Sequence, residues 1–152
     1  MRKIIISDTS CLILLYNINE LDLLQKLYQS ITTTLEVANE FGIPLPAWIV
    51  VKQPNNKNYH QFLEKLVDKG EASAIALAVE TDNSLLIIDD LKARKTAEKI
   101  GLNIIGILGV IVDAKKEGII NSVKPILEKI KQTNFRISSN LETVILTKAG
   151  EI

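Results

Sequence analysis

The sequence predicts an α/β fold, a sandwich in which a mainly parallel sheet lies between two layers of helices. Short runs rich in β-branched residues alternate along the chain with stretches of helical periodicity, as is typical of parallel sheets. The strand candidates are apolar without interruption, as in strands that are buried on both faces. The chain has 152 residues, 47% hydrophobic and 24% charged, and we expect one globular domain over residues 1–152.

The first third of the chain contains three predicted strands. They are rich in β-branched residues and span residues 4–7, 31–34 and 48–52. The helices between them present an apolar face and span residues 11–17, 21–29 and 35–41. Gly42 follows the third helix at the position where glycine commonly ends a helix. Pro44 and Pro46 then exclude a helix interior before the third strand.

The rest of the chain alternates in the same way and ends in helices. Helices at residues 59–67 and 71–80 precede a strand at residues 85–88, and the second of them is apolar on almost all sides, which predicts burial. The elements that follow are a helix at residues 91–100, a strand at 103–105 and helices at 106–117, 123–131 and 140–148. Gly101 ends the first of these, and Ser138 or Ser139 caps the last.

Charge, cysteine content and apolar length exclude several classes of protein. The 18 basic and 18 acidic residues cancel, so the overall charge does not attract nucleic acid. The single cysteine, Cys11, excludes a disulfide scaffold and favours a reducing compartment. No apolar run is long enough for a membrane helix, and the run at residues 4–6 is too short for the core of a signal peptide. We therefore expect a cytoplasmic protein with no membrane partner.

Acidic side chains gather at the edge of the predicted sheet where open α/β sheets bind ligands, beyond the carboxyl ends of the strands. The candidates are Asp8, Glu36, Glu40, Glu71, Asp89 and Asp90. The first of them follows the first strand, and the last two follow the fourth strand. Glu36 and Glu40 share one face of the helix after the second strand, and Glu71 opens the buried helix.

Each of these acids also has an ordinary structural interpretation. A carboxylate at a helix start caps the helix or is favoured by its dipole, and carboxylates on a helix face are often simply solvated. Together, however, crowded carboxylates repel one another and stay partly protonated unless a cation lies among them. Mg²⁺ and Mn²⁺ prefer oxygen ligands and can activate water for attack on a phosphate. The acids therefore predict a divalent metal site.

Other chemistries lack the residues that they need. His60 is the only histidine and is predicted to be exposed at a helix start, which disfavours a histidine zinc site and a catalytic triad. A phosphotransfer nucleophile at Asp8, of the haloacid-dehalogenase type, would need an acid where Ser10 stands. Cys11 is predicted to be a small core residue.

Basic residues follow the acidic pair, at Lys92, Arg94 and Lys95. Arg94 stands four residues after Asp90, so a salt bridge along the helix is one interpretation. The other is an edge that contacts phosphates beside the metal site, as in proteins that bind single strands. The charge pattern alone does not decide between these two interpretations.

Four segments, in chain order, resemble the motifs of the PIN-domain family. They are IIISDTS at residues 4–10, Glu40, GEASAIALA at residues 70–78 and LLIIDDLKAR at residues 85–94. The resemblance extends from Ile4 to about Gly150. It points to a PIN-like branch, related to the VapC toxins, in which Gly-Glu-Ala stands in place of the usual Asp. It implies a compact PIN-like α/β/α fold and a metal-dependent ribonuclease that cuts single-stranded RNA.

The resemblance also implies roles for individual residues. In chain order, the acids that would hold Mg²⁺ or Mn²⁺ are Asp8, Glu40 with Glu36 as a substitute, Glu71, and Asp89 or Asp90. Thr9 or Ser10 would support a ligand or a bound water. Glu71 is one methylene longer than Asp, so it would contact the ion from a slightly different position or through a water. The implied partners are single-stranded RNA or tRNA, a small antitoxin protein and a second copy of the chain in a homodimer.

Two functions are consistent with these residues. The first is the ribonuclease toxin of a toxin–antitoxin pair. The second is a non-catalytic PIN-like module that binds RNA or protein, which Glu71 in place of Asp and the zero net charge favour. Metal-dependent cleavage of RNA distinguishes the two functions.

Overall fold

The computed structural model describes residues 3–152 and contains a sheet of five parallel strands. The strands are β1 (Ile4–Ser7), β2 (Ile31–Thr33), β3 (Ile49–Val51), β4 (Ser84–Ile87) and β5 (Ile104–Ile105). Their order across the sheet is β3-β2-β1-β4-β5. Because β1 and β4 pair in register up to Ser7 and Ile87, the residues that follow these two strands emerge side by side.

Helices form a layer on each face of the sheet. Those described within residues 3–152 are α1 (Thr9–Asn17), α2 (Asp22–Tyr28), α3 (Leu35–Phe41), α4 (Lys57–Leu63), α5 (Lys69–Glu80), α6 (Leu91–Ile100), α7 (Ile107–Lys116), α8 (Lys124–Lys131) and α9 (Ser139–Lys148). The order of strands and helices is the predicted one, and the predicted α/β/α sandwich is confirmed. None of these helices is long and apolar enough to cross a membrane.

Alternate residues of the central strands point to opposite faces of the sheet, and this divides the core into two clusters. Ile5 and Ile87 belong to the cluster that contains the buried residues of α1, α2, α7 and α8. Ile6 and Leu86 belong to the cluster formed with α5 and α6. The residues of α5 from Gly70 to Ala78 are buried, as the apolar pattern of this helix predicts.

Two element boundaries differ from the predicted ones because side chains cap the helices that follow. β2 ends at Thr33, because the hydroxyl of Thr34 accepts the N–H of Val37 at 3.2 Å and caps α3. Asp8 caps α1 in the same way, so that this helix begins at Thr9 and not at residue 11. A polar residue directly after a strand therefore starts the next helix.

The boundary between α4 and α5 also differs from the predicted one. α4 ends at Leu63 and not at residue 67, and α5 begins at Lys69 and not at residue 71. Glu71 consequently lies inside the first turn of α5 and does not open the helix. The third, fourth and fifth strands differ from their predicted bounds by one residue at one or both ends.

One carboxylate ties the end of α9 to α7 and α8. Glu151 accepts hydrogen bonds from the Ser122 hydroxyl at 2.6 Å and from the N–H of Val123 at 2.7 Å. It also forms an ion pair with Lys115 at 2.9 Å. The Ser122 hydrogen bond, followed by that of Val123, lowers the pKa of Glu151 to about 2. The carboxylate is thus ionised wherever the protein is folded at ordinary pH.

Candidate active site

Asp8 lies between β1 and α1 and is fully buried. Its Oδ1 accepts the N–H of Cys11 at 3.1 Å, whereas its Oδ2 is buried with no hydrogen-bond partner among the described residues. Burial, assisted by the negative charges of Asp89 and Asp90, raises the pKa of Asp8 to about 7, against the opposing effect of the hydrogen bonds from Cys11. Asp8 is therefore the predicted helix cap and also carries a buried carboxylate oxygen without a hydrogen-bond partner.

Glu71 lies beside this group and is also largely buried, with 8% of its surface exposed. Burial raises its pKa to about 7, and the charges of Asp90, Asp8 and Asp68 add to the effect. The backbone N–H of Asp68 partly opposes this rise, and the position of Glu71 in the first turn of α5 is one that the helix dipole favours. Glu71 thus combines the structural role that its position predicts with a place in the acidic cluster.

Glu40 joins the cluster from α3 through a hydrogen bond. The Thr9 hydroxyl donates to Glu40 Oε1 at 2.5 Å. Gly70 leaves room for this hydrogen bond, because a Cβ at this position would collide with Glu40 Oε1 and lie 2.7 Å from Thr9 Oγ1. A cavity of about 240 Å³ is lined by Thr9, Ser10, Ile13, Glu40, Asp68 and Glu71. Three of the acids therefore face one space.

Gly70→Ala is expected to break the hydrogen bond between Thr9 and Glu40, because the added methyl group displaces both side chains. The loss of a hydrogen bond to a charged group, about 1.5–3 kcal/mol, is partly offset by about 1 kcal/mol of helix propensity, so the free energy of unfolding should fall by about 1 kcal/mol. In a chain that also carries Glu40→Ala, this hydrogen bond is already absent and only the rotatable Thr9 hydroxyl, 2.7 Å from the added Cβ, has to move, so Gly70→Ala should be neutral or slightly stabilising. Urea unfolding of the four chains of this double-mutant cycle measures the difference. An equal cost of Gly70→Ala in both backgrounds would contradict the contact.

The acidic pair after β4 divides into two different roles. Asp90 Oδ2 accepts the N–H of Ala93 at 3.0 Å and caps α6, and Asp90 shares with Glu71 the lining of a cavity of about 340 Å³. Asp89 Oδ2 instead accepts the N–H of Ile107 at 2.9 Å and a hydrogen bond from Cys11 Sγ at 3.3 Å. Asp89 therefore holds the start of α7 against α1 while its charge also acts on Asp8, and Asp90 lies beside Glu71.

Two residues in this region were not predicted to have their observed roles. Asp68 lines both acidic cavities and raises the pKa of Glu71, and the only sequence signal for it was its position before the Gly-Glu-Ala motif. Cys11 is buried as predicted, and burial raises the pKa of its thiol. Its hydrogen bond to Asp89 joins residues 78 positions apart, and no local pattern indicates such a contact.

The basic residues of α6 do not form one continuous edge. Lys92 lines the cavity that contains Glu71 and Asp90. Arg94 donates from Nη1 to the carbonyl of Ile88 at 2.9 Å and lines a different cavity. The helical salt bridge between Arg94 and Asp90 is not among the ion pairs of residues 3–152, so that interpretation was wrong. Lys95 is exposed on α6.

His60 and Glu36 form a separate group. His60 was predicted to be exposed, but only 13% of its side chain is, because α4 packs against neighbouring helices. Its Nε2 lies 3.5 Å from Glu36 and 3.7 Å from Glu64. Glu36 is thus directed towards α4, which favours Glu40 and not Glu36 as the acid of α3 in the cluster.

The donor set suits a hard divalent cation. Carboxylates are the ligands that Mg²⁺ and Mn²⁺ prefer, and Asp8 Oδ2 is a buried oxygen that lacks any partner within the described residues. No three His, Cys, Asp or Glu side chains between residues 3 and 152 are already placed close enough to form a complete metal site. The acids would have to move closer together around an ion.

Residues 4–151 match the family model of the PIN domain. The match includes every acid of the cluster and all five strands of the sheet. No curated protein and no solved structure gives a significant match to this chain.

Proposed function

The chain belongs to the PIN-domain family, and from this membership we propose that it is a metal-dependent endoribonuclease that cleaves single-stranded RNA. PIN domains are generally nucleases and typically use divalent metal ions. The observation that carries the proposal is Asp8 Oδ2, a buried carboxylate oxygen with no partner, beside Glu71 and Asp90. An unpaired buried carboxylate oxygen lowers the stability of a fold unless a cation or a proton lies beside it.

In the proposed mechanism, Asp8, Glu71 and Asp90 hold the Mg²⁺ or Mn²⁺ ion, with Glu40 as the further acid. The bound ion would lower the pKa of a water and neutralise charge on the phosphate. The Thr9 hydroxyl orients Glu40 through its hydrogen bond, and the N–H of Cys11 fixes the rotamer of Asp8.

Other residues act around these acids. Asp89 is a positioning residue, because it holds α7 in place through the N–H of Ile107. In this proposal Lys92, which lines the cavity of about 340 Å³, contacts a phosphate of the RNA, and Ser10, which lines the cavity of about 240 Å³, supports a water. We place Arg94 and Lys95 farther along the path of the RNA.

The biological setting is part of the same proposal. Residues 1–152 form a single cytoplasmic domain that acts as the toxin of a toxin–antitoxin pair, with single-stranded RNA or tRNA as its target. A small antitoxin protein holds it inactive, and the toxin forms a homodimer. The resemblance to the branch related to VapC toxins supports these assignments.

Removal of metal is expected to abolish cleavage. The purified chain should cut a labelled single-stranded RNA in Mn²⁺ or Mg²⁺, should not cut it in EDTA, and should recover activity when excess Mn²⁺ is added. The physical reason is that the acids lack the positive charge that the phosphate requires. Equal cleavage in EDTA would overturn the proposal, as would the absence of cleavage of every single-stranded RNA and tRNA supplied to the folded protein.

A non-catalytic module that binds RNA or protein is the second candidate. The absence, within residues 3–152, of three acids already placed around one point favours it. It predicts no saturable, Asp8-dependent binding of Mn²⁺ in a calorimetric titration. The ribonuclease proposal predicts one such site per chain.

A further inference from the structure

A large groove lies on the other side of Asp89 from the acidic cluster. It has a volume of about 690 Å³, is walled by α7 and α9, and is here named the α7–α9 groove. Asp89, Arg94 and Phe135 are among the residues that line it. Asp89 lines this groove, and the next residue, Asp90, lines an acidic cavity. The two sites are therefore adjacent, and a polymer bound across the acids can extend into the groove. Its volume is in the range of sites for small organic ligands.

The floor of the groove depends on two glycines of the α7 region. A Cβ at Gly106 would lie 2.6 Å from Asp89 Oδ1 and 3.0 Å from Arg94 Nη1. A Cβ at Gly109 would lie 2.8 Å from Ile105 Cγ1. Side chains at these positions would therefore force the neighbouring groups to move, so the glycines allow Asp89, Arg94 and Ile105, which line the groove, to pack directly against the backbone of the α7 region.

The groove also differs from the acidic cavities in charge. Its lining includes three cationic residues, Arg94, Lys116 and Lys148, against Asp89 and Asp113. The carboxylate of Asp89 is already engaged by two hydrogen-bond donors. Lys116 and Lys148 are exposed, on α7 and α9 respectively. In a chain with zero net charge, this edge is a local site of attraction for an anion.

We propose that the α7–α9 groove binds a nucleotide of the RNA next to the cleaved phosphodiester, with its base against Phe135 and its phosphates against Lys116 and Lys148. The inference rests on the proposed ribonuclease function, which supplies the strand that crosses the acids. An aromatic ring beside an apolar floor accepts any base by stacking, and cations at the edge follow the backbone. The groove thus selects single strands, because a paired base cannot leave its helix to enter it at low cost.

Binding of RNA in EDTA tests the groove separately from cleavage. Fluorescence anisotropy with a short labelled single-stranded RNA compares Lys116→Glu/Lys148→Glu with Lys26→Glu/Lys124→Glu, a control with the same change in charge at exposed lysines of α2 and α8. The groove variant should bind at least about tenfold more weakly, and the slope of log Kd against log salt should fall by about 1.4 for two lost phosphate contacts. The control should bind nearly as the unsubstituted chain does.

Substitutions of the aromatic ring test the base contact. Phe135→Tyr keeps a stacking face and should keep the affinity, whereas Phe135→Leu keeps an apolar side chain and should weaken binding about fivefold or more. Circular dichroism shows whether each variant is folded. If Phe135→Leu does not fold, the lysine variants alone test the inference. Unchanged RNA affinity in the groove variant would overturn the inference. The groove would then be a candidate site for an acidic protein segment.

The two proposals fail in different ways. Groove-dependent binding without any metal-dependent cleavage would overturn the ribonuclease function and support the groove as an RNA site. If cleavage depends on metal but RNA binding is weakened equally in the groove variant and in its control, the ribonuclease function is supported and the groove is excluded as an RNA site.

Discussion

Asp8→Asn is expected to lower the rate of metal-dependent RNA cleavage by about a hundredfold or more while the chain stays folded. Asparagine is as good a helix cap as aspartate and keeps the hydrogen bond from the N–H of Cys11. It removes the negative charge and places an amide nitrogen where a second oxygen would contact the ion. Even residues that only orient metal ligands change affinity or activity by about 10- to 100-fold, so the loss of a ligand should cost at least as much.

Cleavage of labelled RNA in Mn²⁺, followed on denaturing gels, measures this effect. Asp82→Asn is the matched control, because Asp82 is exposed in the turn before β4, and it should leave the rate unchanged. Asp90→Asn should resemble Asp8→Asn, whereas Asp89→Asn should also lower stability because Asp89 holds the start of α7. A wild-type cleavage rate in folded Asp8→Asn would exclude the proposed metal site.

In EDTA, the stability of Asp8→Asn relative to the wild-type chain is expected to rise by about 4 kcal/mol between pH 4 and pH 8. The pKa of Asp8 is about 7 in the folded chain, against a value of 3.8 for the free side chain. Between these values the folded state binds more protons than the unfolded state, so the wild-type chain loses stability as pH rises. Three pKa units correspond to about 4 kcal/mol. The loss is complete above pH 7, and the neutral asparagine avoids it.

Urea unfolding at a series of pH values gives the free energy of unfolding of both chains. At pH 4 the wild-type chain should be at least as stable as Asp8→Asn, because the buried amide leaves N–H groups unpaired at a cost of about 1–3 kcal/mol. At pH 8 the order should reverse. Saturating Mn²⁺, at about 100 times its Kd, should restore about 2.7 kcal/mol to the wild-type chain and nothing to the variant. A difference that does not change with pH would contradict the burial of an unpartnered carboxylate.

Local patterns were sufficient for the element order and for the placement of most acids. A strand has a period of two residues and a helix one of 3.6, so the class of each segment is visible within a short window. Because β1 and β4 are neighbours in the sheet, Asp8 and Asp90 lie close together, as expected for residues that follow neighbouring parallel strands. The cap at Asp8 moved the start of α1 by two residues, and the cap at Thr34 moved the end of β2 by one residue.

The pairing of side chains was not determined by any local pattern. Asp89 and Asp90 are adjacent and chemically identical, and only the position of α7 turns Asp89 towards Ile107. Glu36 and Glu40 share a helix face, and only the packing of α4 directs Glu36 towards His60. These contacts join residues far apart in the chain, and hydrogen-bond geometry depends on tenths of an ångström that sequence spacing does not specify.

The sequence by itself determined the α/β class, the order of the elements and the edge of the sheet where the acids meet, because these follow from periodicity and from the geometry of parallel strands. Only the tertiary structure decided which acids share a cavity, which acid holds α7, and that Asp89 also lines the α7–α9 groove. The physical reason is burial, which removes water from Asp8 and Glu71. Without water to screen them, the pKa of each group depends on where the neighbouring charges lie.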